Sequence, residues 1–590
     1  MRLKFNSALL ALLLIVQLNP GSLAPAAAQS ASQVSVLSQV AGPTPFVEFV
    51  NLANVNPEKF TAVSFFITPK DGATAKAASA TYSRAYLEAR GDFNSSLATL
   101  RVPVTGLYQG RVNHVTINYF EGLNVSTIFT QITTQRWLDS RYLNPQVLTA
   151  RNKNVALDYS YIMLKNWSTG YAPSIVDIDG ELRWVGAALN NGPTQASTFQ
   201  NNGVLYGSGS SLLRLELDGS YRTLADYRNT ADVTNIGHHN YDAGKYGTLI
   251  EVDRSTEVEA TILEVDEAGA LLNTFDLSKI IEDEMRAGGD DPSNFVRRYA
   301  DWFHNNAAAY WKTQDTLVVS SRENFVIGID YETKKIKWIL GDPTKYWHTF
   351  ASLRKYALDL KAGGEYPLGQ HAVSITSQDE LMLFDNGTQS FNQPGGASVG
   401  ENRSYAAPRR YRLDLVKRTA EMTWAFEHGK TVYSPICSSI YQDGKSFIVD
   451  YASVDWGQSI RLMGLGENDQ VAFEYQYPGD WSNGWNAQPV HLENLNFLAP
   501  ITYADDLPTQ TVRLSAKNGS ISAGEKLKLR TLVRSIPFGA TAITTRVTGS
   551  KTVLSYLKQL GYRGQFRLTS ASSRTAVKTA KVLISFMPAR

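Results

Sequence analysis

SIVDIDGELRW (174–184) alternates apolar and polar residues, turns on Asp-Gly and returns through a second apolar run ending on Trp184. The same strand–turn–strand unit recurs as SLLRLELDGSYRTL (211–224), ATILEVDEAGALLNTF (260–275), VIGIDYETKKIKWIL (326–340), YRLDLVKRTAEMTWAF (411–426) and IRLMGLGENDQVAFEY (460–475). This is hairpin chemistry. Further strand-like runs lie in the gaps: GVLYGSG (203–209), GTLIEVD (247–253), DTLVVSSR (315–322), DELMLFDNG (379–387) and GKSFIVDY (444–451). One more strand upstream of each gives four strands per repeat. Successive units start 37, 49, 66, 85 and 49 residues apart, near the blade length of a β-propeller with loop insertions at the third and fourth gaps. The pattern predicts an all-β fold with a six-bladed propeller over residues 141–500; a two-sheet sandwich of hairpins is the competing arrangement.

The flanks read differently. Residues 29–140 contain TAVSFFITP, LATLRVPVTGLYQG and VNHVTINYFEG, short strands at the spacing of an N-terminal β-sandwich domain. Residues 508–590 predict a small, basic, β-rich C-terminal domain, in which TVLSYLKQLGY (552–562) has helical spacing as an alternative, and Pro500 to Pro508 is the expected linker.

The first 28 residues have a basic start (Arg2, Lys4), an apolar core from Ala8 to Leu18 and an A-x-A site at Ala26–Ala28. That is the pattern of a cleaved signal peptide, implying a periplasmic or secreted protein. No other stretch has the ~18 apolar residues of a membrane span. Cys437 is the sole cysteine, so no intramolecular disulfide is available and a large core must supply stability.

The net charge of the 590 residues is +2, a total that conceals two opposed parts. Residues 511–590 hold 15 Lys and Arg against the single acid Glu525, or +14, while the other 510 residues carry −12. The basic tail is expected to attract polyanions or an envelope surface through its field.

Three of the eight histidines share a place in the repeat. His239 lies nine residues before Thr248 of TLIEVD, His371 nine before Glu380 of ELMLFD, and His304 twelve before Thr316 of TLVVSS. Each falls on the first strand of its unit, the strand that lines the axis of a propeller, so the three imidazoles are expected to converge. Cys437 falls near the equivalent place one unit on. Arg322 closes the DTLVVSSR strand, and Asn306 has the same facing as His304. His238 adjoins His239, and alternation lets only one of the pair face the axis.

Such a set suits two chemistries. Neutral imidazoles bind metals, as in a metal-dependent propeller lyase or hydrolase acting on acidic polysaccharide. Alternatively an imidazole is the nucleophile in transfer of an anionic group, with cationic donors stabilising the oxygens that gain charge. Arg322 favours the second, because a guanidinium repels a metal and matches an oxyanion. No P-loop and no Rossmann glycine pattern is present. A non-catalytic glycan-binding propeller with an adhesive tail is the third reading.

GHHNYDAGKYGTLIEVD, DWFHNNAAAYWKTQDTLVVSSR with the following IKWILGD, and GQHAVSITSQDELMLFDNG resemble the bacterial arylsulfate sulfotransferases over roughly residues 35–500. The resemblance implies a six-bladed propeller with an N-terminal sandwich, and transfer of a sulfuryl group without a nucleotide or other cofactor. It implies that His371 is sulfurylated, that His304, Arg322 and Asn306 cradle the group, and that His239 is the remaining pocket histidine, with His238 beside the substrate. The implied reaction is ping-pong, from a small phenolic sulfate donor to a phenol acceptor. A homodimer is left open. Three departures stand out: Glu323 follows VSSR where the family often has His, a single Cys cannot form the disulfide of better-known members, and the basic tail has no counterpart.

Overall fold

The computed structural model describes residues 33–139, 142, 144–166, 172–186, 196–479 and 484–498. Beyond these it describes 510–517, 520–535, 541–545, 550–560, 566–569 and 579–587. The signal-peptide reading and the 500–508 linker lie outside the described residues.

The chain is predominantly β. Between residues 146 and 490 the described strands form six sheets, built mainly of antiparallel neighbours in sequence, with Asp359–Leu360 added in parallel to Thr419–Ala425 at the edge of the fifth. The second runs Ser197–Gln200, Gly203–Ser208, Ser211–Glu216, Tyr221–Asp226; the fourth runs Asn305–Trp311, Thr316–Ser321, Val326–Asp330, Ile336–Leu340. The recurrent units of the sequence are the last two strands of each sheet, and the runs read in the gaps are the strands before them. The first sheet takes Asn486–Val490 from far along the chain to pair with Tyr161–Lys165, and Gln146–Thr149 joins the outer strand of the sixth.

The repeat's Asp is what closes its turn. Asp177 Oδ1 accepts from the N–H groups of Asp179 and Glu181, Asp266 Oδ1 from Ala268 and Ala270, Asp330 Oδ1 from Thr333, and Asp414 Oδ1 from Val416 and Lys417. A short carboxylate that mimics a backbone carbonyl makes the tight reversal cheap. Close approach does the rest. A Cβ on Gly328 would sit 2.2 Å from the Trp338 ring, and one on Gly464 2.3 Å from Phe473, so the third strand is glycine where the fourth carries its aromatic.

Before the repeat, two sheets face one another. One orders Ser35–Ala41, Val47–Ala53, Thr99–Thr105 and Phe93–Asn94. The other orders Leu495–Phe497, Ser79–Ser83, Ala62–Ile67, Val112–Glu121 and Asn124–Thr133, so the chain returns after its last repeat strand to extend the N-terminal sheet. One hydrophobic core runs from these sheets into the first two repeat sheets, through Tyr161, Ile175, Trp184 and Leu215.

Arg183 pins the junction. Its Nη1 donates to Asp177 Oδ2 at 2.9 Å, its Nη2 to Gly106 O at 2.6 Å, and its guanidinium lies 3.6 Å from the Tyr108 ring centroid. Both ions are buried, and burial holds the Asp177 carboxyl up at about 6 despite its partner. Arg183→Ala is expected to cost about 3–5 kcal/mol in a urea titration, because it strands Asp177 and the Gly106 carbonyl.

The C-terminal region is a mixed α/β layer rather than wholly β. Its strands order Ser520–Ile521, Gln510–Lys517, Thr579–Met587, Thr541–Thr545, Phe566–Thr569, with helices Ala523–Ser535 and Ser550–Gln559. The second helix occupies most of the stretch with helical spacing. The first lies in the region read as β-rich: Leu529, Leu532 and Val533, three and four apart, pack inward, while Leu527 is exposed. Among the described residues no helix is long and apolar enough to cross a membrane.

Candidate active site

Five sheets send the starts of their innermost strands to one cleft. His239 and Asn240 precede Tyr241–Ala243, Asn306 lies in Asn305–Trp311, His371 and Ala372 open His371–Ile375, Cys437 and Ser438 precede Ser439–Asp443, and Trp485 and Asn486 lead into Asn486–Val490. They line a narrow, open cleft whose cavity volume is about 10 Å³. The backbone is bent at the same places. His239, His304, Ala372, Cys437 and Ser438 have φ of +51°, +56°, +52°, +60° and +80°. Non-glycine residues there store roughly 1–3 kcal/mol each and cluster where side chains must be aimed. Irregular register follows His304 and His371, between Asn305 and Ala307 and between His371 and Ser374.

The three histidines in register meet. One ring nitrogen from each of His239, His304 and His371 lies within 4.8 Å of the others. The His239 ring centroid is 4.7 Å from that of His304, 5.9 Å from His371 and 5.6 Å from Trp485. His238 is buried behind them, its ring 5.4 Å from that of His239 and its Nε2 3.7 Å from Asp253. It does not line the cleft, so His239 is the member of the pair that does. Asn306 lines the cleft and donates to the Gln370 carbonyl at 2.8 Å, while the side chain of Asn305 bonds the Thr261 carbonyl.

His371 has its tautomer set by Asn386. The Asn386 amide donates to the carbonyls of Ser434 (2.7 Å) and Cys437 (3.0 Å), so its oxygen faces His371 and accepts Nδ1–H at 2.8 Å. Nε2 is therefore the lone-pair nitrogen, and it accepts the backbone N–H of Cys437 at 3.2 Å. Burial, then His239 and His304, hold the imidazole well below its ordinary titration range, so it is neutral at pH 7. Asn386→Leu should slow attack by this nitrogen about 10²-fold in single-turnover measurements, by freeing the ring to take the wrong tautomer.

His304 is the opposite. Its Nδ1 lies 2.6 Å from Asp301 Oδ2 and 2.7 Å from Glu259 Oε2. Burial alone would lower its titration, but Glu259 and Asp301 outweigh this and raise it to about 9. It is an imidazolium at neutral pH. Arg322 adds a second cation. It is buried, donates its backbone N–H to the His304 carbonyl, and acts electrostatically on His304, His371 and Cys437. Its Nη2 pairs with Glu323, its Cζ lies 4.4 Å from the Phe391 ring centroid, and Nε and Nη1 have no partner among the described residues. Glu323 also receives the N–H groups of Phe391 and Asn392, so the residue that departs from the family pattern anchors the arginine and the loop beside it.

A buried guanidinium with unpaired donors, an imidazolium and a neutral imidazole can together hold an anion, with His371 in the cleft lining and His304 and Arg322 set behind it. The same set is poor for a divalent cation: His304 Nδ1 carries a proton shared with carboxylates, His371 Nε2 already accepts an N–H, and Arg322 adds positive charge. Sequence reading missed Glu259, Asp301, Asn386 and Trp485. Of these Asp301, which opens DWFHNN, and Asn386, in the DNG of LFDNG, lay in motifs already singled out.

Sequence comparison places the chain in a class, the enzymes that transfer sulfuryl groups. The sequence profile of the arylsulfotransferase family matches residues 145–485, and the chain belongs to that family. The arylsulfate sulfotransferase AssT of Escherichia coli O6:H1 is 24% identical over 480 residues, covering 62% of this chain and 77% of that protein. AssT of Lelliottia amnigena is also 24% identical over 480 residues, covering 63% and 78%. Among solved structures, the Cps50 (Swd1) β-propeller domain of Myceliophteria thermophila aligns at a TM-score of 0.30 and 9% identity, covering 57% of this chain and 90% of that one.

Proposed function

We propose that the chain is a six-bladed propeller enzyme, with an N-terminal sandwich, that moves a sulfuryl group from a phenolic sulfate ester to a phenol through a sulfohistidine at His371. The observation that supports this reading is the neutral His371 imidazole in the cleft lining, its Nδ1–H taken by Asn386 so that Nε2, shared only with the Cys437 N–H, carries the lone pair. Nε2 attacks sulfur and the aryl oxygen leaves with the bond pair. A phenol oxygen then attacks the same sulfur, and Nε2 recovers its pair. Arg322, the His304 imidazolium and His239 stabilise charge on the sulfuryl oxygens, and Asn306 orients the group. Trp485, which lines the cleft, is the aromatic face against which an aryl ring stacks.

The enzyme acts in the periplasm or outside the cell, following the signal-peptide pattern, and its basic C-terminal region holds it to a polyanion or envelope surface. In that region Lys526, Arg530, Lys551 and Lys558 are exposed, and the sole acid, Glu525, is taken up by Lys528. Mixing the protein with excess 4-nitrophenyl sulfate and no acceptor should release one equivalent of nitrophenol in a burst and leave the sulfuryl mass on the peptide containing His371. A burst with the label elsewhere sinks the reading.

A further inference from the structure

Glu259 stands outside every motif of the sequence, yet it organises two pocket histidines at once. A single oxygen, Oε2, lies 2.7 Å from His304 Nδ1 and 3.2 Å from His239 Nε2. The residue is held in place from three sides. Its backbone is left-handed at φ +45°, its N–H is bound by Asp253 Oδ1 at 2.8 Å, and its carbonyl accepts the N–H of Asn305 at 2.9 Å.

Both rings must donate to that oxygen. For His304 this fixes Nδ1–H, and with Asp301 also accepting there, the ring keeps a second proton on Nε2. For His239 it fixes Nε2–H and leaves Nδ1 as a bare lone pair, buried and without a partner among the described residues, on a residue that lines the cleft. We propose that Glu259 is a positioning residue that assigns opposite protonation states to its two neighbours, and that His239 Nδ1 is the base that takes the acceptor's hydroxyl proton. The proposal rests on the sulfohistidine reading and deepens it.

The proton accounting closes. As the acceptor oxygen bonds to sulfur, its proton moves to His239 Nδ1 and the S–Nε2 bond pair returns to His371. The next donor's departing phenolate takes that proton from His239 and leaves as the phenol. No co-reactant is needed. The charged and titratable groups around the pair are consistent: His238 and Asp253 behind His239, Glu251 at the Asn240 N–H, Asp301 and Arg322 around His304, and His371 opposite. Burial first, opposed by Glu259, brings His239 down to about 4, so it is the proton-free partner at neutral pH, whereas His304 is at about 9.

The test follows His371 sulfurylation and its discharge separately, in the full chain. Glu259→Gln removes the anion, so the alkaline limb of the sulfurylation rate should fall from about pH 9 toward 6.5, the ordinary value for histidine. Glu259→Asp, which keeps the charge, should hold the limb near its native position. His239→Ala should slow discharge to unsubstituted phenol about 10²-fold, and to a nitrophenol already ionised at the assay pH about threefold or less. An unmoved limb in Glu259→Gln, a Glu259→Asp limb that drops as far as the Gln one, or equal losses with both acceptors overturns the inference. If native protein leaves His371 unlabelled, the sulfohistidine reading itself falls; labelling with an unmoved limb removes only the role of Glu259.

Discussion

His371→Ala is expected to lower turnover of an aryl sulfate by about 10⁴- to 10⁶-fold, the loss typical of removing a covalent nucleophile. The imidazole lines the cleft, has its Nε2 lone pair shared only with the Cys437 N–H, and is kept neutral by burial and by two neighbouring imidazoles. The fold should survive. The substitution leaves Asn386 Oδ1 and the Cys437 N–H without their partner, a cost of about 1–3 kcal/mol. That is small beside the cores that run through the six sheets. Circular dichroism and a thermal melt on the variant separate a dead site from a lost fold, and residual turnover within 10²-fold of native would exclude His371 as the nucleophile.

Arg322→Ala should cost about 10²- to 10³-fold in kcat/KM for the donor, as for loss of a donor that stabilises a developing oxyanion. Arg322→Lys should recover only part, because an ammonium cannot keep the Glu323 contact and also present the further N–H donors that the guanidinium leaves unpaired. The Ala variant also strands Glu323, which is fully buried, so the paired substitution Arg322→Ala/Glu323→Gln is the fairer reading of chemistry. Added guanidinium should rescue the Ala variants and leave Arg322→Lys unchanged. Full activity in the Lys variant would reduce Arg322 to a generic positive charge.

Much of the site was legible because repeats register chemistry. His239, His304 and His371 stand at matching offsets from the next strand, and a fold that places equivalent positions at one axis must bring them together. Asn306 and Arg322 follow from those histidines by strand alternation and by strand end. Glu259 was invisible for the complementary reason, and Asp301, though it opens DWFHNN, carried no sign of its pairing with His304. Both lie outside regular strands, where no period operates, and Glu259 is aimed by a left-handed backbone that a single sequence does not declare. Trp485 was one of eleven tryptophans until the pairing of Asn486–Val490 with Tyr161–Lys165 carried it to the cleft. The helix Ala523–Ser535, inside a region read as β-rich, shows the limit of judging a short run by its pattern. LKLRTLV satisfies both periods, and only packing decides between Leu527 and Leu529.

That pairing has a consequence for the life of the chain. The first repeat sheet borrows a strand made more than three hundred residues later, and the borrowed strand's lead-in supplies Trp485 and Asn486 to the pocket. Closing so distant a loop is slow compared with forming each local hairpin. During synthesis the hairpins can therefore form one by one while the candidate cleft still lacks a wall. A chain ending before residue 486 is expected to hold His239, His304 and His371 and yet have no complete pocket in which to use them.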